Sequence, residues 1–73
     1  MDNFRKTING IDFSFKGILE GKEEVCKVSA ENQNFKMATD DQGNWYIKQQ
    51  VPRWIKELED ELGKAIDDAD LSL

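Results

Sequence analysis

From Ile11 the chain alternates, with apolar Ile11, Phe13 and Phe15 separated by polar Asp12, Ser14 and Lys16. A period of two is the mark of a strand with one face buried and one face wet. Asn9-Gly10 stands just before it, and both residues tolerate the positive φ of a two-residue turn, so Phe4 to Ile8 is expected to be the first arm of a hairpin. Glu20-Gly21-Lys22-Glu23 reads as the next turn. Val25 to Glu31 follows as a strand with Cys26, Val28 and Ala30 on one side and Lys27, Ser29 and Glu31 on the other. Glu31-Asn32-Gln33-Asn34 closes that strand, Phe35 to Thr39 resumes, Asp40 to Asn44 turns, and Trp45 to Lys48 returns with aromatic and β-branched residues. The pattern predicts an antiparallel meander of four to five strands over residues 4–48.

The period then changes. Val51, Ile55, Leu58, Leu62, Ala65, Ile66 and Ala69 recur at steps of three and four, the stripe of an amphipathic helix. Pro52 suits the first helical position, where its missing N–H has no intrahelical partner to lose, and the helix is expected over residues 52–68 with a short acidic tail behind it. Gly63 costs about 1 kcal/mol relative to alanine inside a helix, so it marks either a close approach to the sheet or a weak point. A sheet with one apolar face and a helix with one apolar stripe bury each other. The expectation is therefore a single α+β domain over residues 1–73, with the helix lying across one face of the sheet. Ile11, Phe13, Phe15, Cys26, Val28, Phe35, Met37, Trp45 and Ile47 should meet Ile55, Leu58, Leu62 and Ile66 there.

Composition narrows the chemistry. The 73 residues contain no histidine and one cysteine, which removes serine–histidine and cysteine–histidine nucleophile pairs and the commonest general base and transition-metal ligand. Cys26 alternates inward among apolar residues, where a thiol is inert packing. Asp40-Asp41-Gln42-Gly43-Asn44 has too few ligands in the wrong places for a calcium loop, whose sixth and twelfth residues here are Trp45 and Val51. No glycine spacing suits a phosphate loop. These features assign no catalytic residue, no metal and no cofactor, and the chain is not expected to be an enzyme. The longest apolar run is Trp45-Tyr46-Ile47, so neither a secretory signal nor a membrane span is expected, and a lone cysteine points to the cytoplasm.

Charge divides the chain into two surfaces. Residues 1–50 hold 8 acids and 7 bases, while residues 51–73 hold 7 acids and 3 bases, so most of the net charge of −5 sits in the helix and tail. Glu57, Glu59, Asp60, Glu61, Asp67, Asp68 and Asp70 fall off the apolar stripe and predict an acidic outer surface. With Trp54 at the head of the helix as an aromatic anchor, Trp54, Glu57, Asp60, Glu61, Asp67 and Asp68 form the first candidate site, a docking surface for a protein partner of an accessory or regulatory module. The alternative lies on the open face of the sheet, where Lys16, Lys27, Lys36 and Lys48 point outward beside Tyr46. That face would take an anionic ligand or a nucleic acid, with Tyr46 as a stacking platform. Ile18, Val25, Tyr46, Trp54, Leu71 and Leu73 are apolar residues that one helix does not obviously cover, and they predict a homodimer contact at a sheet edge or near Trp54.

Overall fold

In the computed structural model, which describes residues 3–69, five antiparallel strands form one open sheet in the order β1-β2-β3-β4-β5. They are β1 (Phe4–Ile8), β2 (Ile11–Glu20), β3 (Glu23–Ala30), β4 (Gln33–Thr39) and β5 (Trp45–Ile47). Each is joined to the next by a short turn. Asn9 and Gly10 take φ of 55° and 76°, the conformation that the Asn-Gly pair was expected to supply, and they close the register at Ile8 opposite Ile11. The strands run further than alternation alone suggested. β2 continues through Gly17-Ile18-Leu19-Glu20, and β4 begins at Gln33, because Glu31 and Asn32 alone make a tight turn with φ of 51° and 66°. The Asp40–Asn44 loop folds around its own first residue: Asp40 Oδ1 accepts the N–H of Gln42 and of Asn44, each at 2.9 Å.

The expected single helix over 52–68 is instead two, α1 (Arg53–Lys56) and α2 (Glu59–Ala69). Pro52 is the residue before the first turn rather than within it, and its carbonyl accepts from Ile55 and Lys56. The break falls at Glu57-Leu58, where the Leu58 N–H bonds to the Ile55 carbonyl three residues back instead of four. That tighter turn points both Ile55 and Leu58 into the core and brings Glu59 against the sheet, where its carboxylate accepts the Ile47 N–H at 2.7 Å. Glu59 is thus turned inward and is not part of the acidic outer surface. Asp70, Leu71 and Leu73 lie outside the described residues.

The inner face of the sheet and the helices share one core. Phe13, Phe15, Cys26, Val28, Phe35, Met37 and Ile47 meet Ile55, Leu58, Leu62 and Ile66 as expected, whereas Ile11 and Trp45 are only partly buried at its margin. The Phe4 ring stacks on Phe15 with centroids 4.5 Å apart, and Trp54 tilts against Phe13 at 6.5 Å. Gly63 is a point of close approach: a Cβ there would sit 3.0 Å from the Cβ of Trp45, so helix and strand can meet only over a glycine.

Candidate anion site on the outer sheet face

The strand registers arrange the outward side chains in rows. Lys16 stands opposite Lys27, and Lys27 opposite Lys36. The Lys48 N–H bonds to the Lys36 carbonyl at 2.9 Å, which places the fourth lysine at the end of the same row. Four like charges side by side repel. The next row towards the Gly21 turn is apolar, with Ile18 opposite Val25 on β3 and Ala38 opposite Tyr46 on β5. Val25 and Ala38 face away from the helices yet are fully buried. Two ion pairs reach across this row. Lys36 on β4 donates to Glu20 on β2, and the span between them crosses β3 at Val25. Lys48 on β5 donates to Glu23 on β3 at 2.8 Å, crossing β4 at Ala38. The methylene stems of these residues lie over the apolar row while their heads stay in solvent. The hydrogen bond from Lys36 holds the Glu20 carboxyl below its ordinary range, and that to Glu23 pushes the Lys48 ammonium above its own.

Those pairs split the lysine row. Lys36 and Lys48 are engaged towards the turn, while no carboxylate among the described residues lies within ion-pair distance of Lys16 or Lys27. On the other side of Lys16 and Lys27 runs a fully polar row, Arg5 opposite Ser14, Ser14 opposite Ser29, and Ser29 opposite Asn34. Strands lie about 5 Å apart and successive outward residues about 7 Å apart, so Arg5, Lys16 and Lys27 converge on the paired serines. Together with Asn3 and Asn34 they line an open concavity of about 470 Å³, and no acidic residue is among the described residues of its wall. Its lining residues include three cations, two hydroxyls and two amides, which contain the kinds of donor a compact anion needs. The half-buried serines sit on rigid strands, where their positions are fixed by register rather than by loop conformation.

The sequence-derived residues divide accordingly. Of the open-face set, Lys16 and Lys27 belong to the concavity, Lys36 and Lys48 are tied up in ion pairs, and Tyr46 is exposed on β5, with β4 between it and the β3 lining. Arg5, Ser14, Ser29 and Asn34 complete the site. Arg5 lies in the first arm, which lacks the strict alternation that marks β2. Phe4 and Ile8, which straddle it four residues apart on the inner face, are the signal that puts Arg5 outward.

The helix-borne set converges only in part. Trp54 packs on Phe13, Glu57 pairs with Arg53 at 3.7 Å on α1, and Asp68 is exposed near the end of α2. Asp60, Glu61 and Asp67 do line a second open concavity, of about 620 Å³, with Trp45 and Lys64, but Asp67 there accepts the Trp45 indole N–H at 2.8 Å, a bond that pins the helix to β5. Among the described residues no cluster of metal-ligating side chains occurs, and no helix is long and apolar enough to cross a membrane. Compared with protein-family models, with curated proteins and with solved structures, the chain matches none.

Proposed function

We propose that this chain is a non-catalytic binding module, working in the cytoplasm without a cofactor, whose outer sheet face receives a compact anion of the phosphate type between Arg5, Lys16 and Lys27. The observation that carries this reading is that Arg5, Lys16 and Lys27, none of them in an ion pair among the described residues, surround the paired Ser14 and Ser29 in a concavity whose described lining holds no acid. A bound anion relieves their mutual repulsion and accepts the hydroxyl donors, and the volume lies within the range of small-ligand sites. An extended nucleic acid is less well served. Two of the four lysines it would track are already paired within the chain, and the surrounding charge is negative.

Titration with inorganic phosphate at constant ionic strength, followed by amide chemical shifts, tests the reading. Shifts should be confined to the amides around Arg5, Ser14–Lys16, Lys27–Ser29 and Asn34, with a Kd of about 1 mM, and Lys27→Gln should weaken it severalfold. The affinity should fall only gently with salt, because screening the site's cations is partly offset by screening the distant acids. Equal shifts with chloride alone would overturn the anion site. A steep salt dependence with single-stranded DNA, with shifts reaching Tyr46 and Lys48, would favour the nucleic-acid reading instead.

A further inference from the structure

β1 pairs with β2 only as far as Phe15, opposite Phe4, so among the described residues positions 16–20 of β2 have β3 on one side and no strand on the other. The opposite edge of the sheet is managed differently, since Glu59 of α2 takes up the Ile47 N–H of β5. In the hairpin closed by Ile8 opposite Ile11, the odd-numbered residues of β2 direct N–H and C=O towards β1. Carried along the strand, that alternation aims the backbone groups of Gly17 and Leu19 at the margin without a strand. Leu19 is also the most exposed large apolar residue described, at 72%, on the inner-face side of β2 beyond the reach of the helices.

We propose that this margin pairs with the same segment of a second copy, antiparallel and about a two-fold axis through Ile18. The segment Lys16-Gly17-Ile18-Leu19-Glu20 is complementary to itself in that register. On the outer face Lys16 meets the partner copy's Glu20, whose carboxylate binds Lys36 through one oxygen and offers the other, and the two Ile18 side chains meet on the axis. On the inner face each Leu19 lies opposite the other copy's Gly17, where no side chain competes for the space. Gly17 and Leu19 then form the hydrogen-bonded pairs and Ile18 the non-hydrogen-bonded pair, which is the alternation that an antiparallel ladder requires. A register displaced by two residues would set Lys16 against Ile18 or Glu20 against Ile18, and would lose both charge pairs. The contact is isologous and closes at two copies.

Sedimentation equilibrium on the full chain in the absence of phosphate reads the association, and an equimolar mixture of labelled and unlabelled chains reads the register. The expected result is a concentration-dependent doubling of mass, with an intermolecular contact between the Ile18 Hα protons, which face each other closely only in a non-hydrogen-bonded pair. Leu19→Lys, at an exposed position that leaves the monomer's melting temperature unchanged, should weaken association about tenfold. Lys16→Glu should weaken it as well, and the double variant Lys16→Glu/Glu20→Lys should restore it by exchanging the charges. A chain that stays monomeric at every concentration, a dimer indifferent to Leu19→Lys, or intramolecular contacts placing residues 1–2 along Gly17–Leu19 would overturn the proposal. Both proposals draw on Lys16, so phosphate should weaken the association, but each is read by its own measurement: failure here leaves the anion site standing, and failure of the anion site leaves this register untouched.

Discussion

At the scale of single residues, the turns carry the clearest signals and the clearest departure from them. Asn9-Gly10 and Glu31-Asn32 adopt nearly the same left-handed pair of conformations, but only the first uses residues that favour it. For glutamate the left-handed region places Cβ close to the following carbonyl, at a cost of about 1–2 kcal/mol that asparagine partly and glycine wholly avoids. This is also why the sequence places the turn at Glu31–Asn34 but overestimates its length: its chemistry argues for a longer loop, and the closing pair Ala30–Gln33 overrides it. Replacing Glu31-Asn32 with Asn-Gly should therefore raise stability by about 1 kcal/mol, read as a higher midpoint in urea with an unchanged slope. Gly63 is the converse case. Its two sequence readings, close approach or weak point, are one and the same, since the contact with Trp45 demands the residue that helices tolerate least after proline.

Among the elements, the meander was legible because period two survives wherever one face is buried, and the helical stripe was legible for the same reason at period 3.6. The break at Glu57-Leu58 was not legible. Neither proline nor glycine marks it, and the stripe runs through it without a phase error, since Leu58 and Leu62 are both buried. Its cause is tertiary: the exposed edge of β5 needs an acceptor for the Ile47 N–H, and ending one helix and starting another positions Glu59 to supply it while also holding Lys56. Glu59→Ala should cost about 1–3 kcal/mol, the penalty for a partly buried N–H left without its charged acceptor. Glu61→Ala, on an exposed side chain two residues later, should stay within about 0.5 kcal/mol. Chemical denaturation of the two variants separates the proposals, because loss of generic acidity at the start of α2 would affect them equally.

Across the whole molecule, charge is read wrongly if it is only summed. A chain with net charge −5 still carries a cationic concavity, because two of its fifteen acids are spent within the sheet on Lys36 and Lys48, and seven of the others belong to the helices and tail. The sequence showed which lysines face outward. It could not show which keep their charge available, since the pairs Lys36–Glu20 and Lys48–Glu23 join residues two strands apart and depend on register. The pH dependence follows from the same pairs. Glu20 has its folded pKa lowered by the Lys36 hydrogen bond, so its contribution to stability is complete above the ordinary carboxylate value of 4.5 and disappears as the pH falls through the folded value. Lys48 has its folded pKa raised by Glu23, so its contribution is complete below the ordinary lysine value of 10.5 and disappears as the pH rises through the folded value. The two windows lie on opposite sides of neutrality. The stability difference between the wild type and Glu20→Gln should accordingly be constant from about pH 6 to pH 9 and shrink as the pH falls into the acid range, whereas that for Glu23→Gln should shrink as the pH rises above the ordinary lysine value. Both pairs are exposed, so both differences should be small and should contract further in high salt. Urea midpoints measured across that range check the sign, and a Glu20→Gln difference that grew as the pH fell would show that the Lys36 hydrogen bond does not lower the Glu20 pKa.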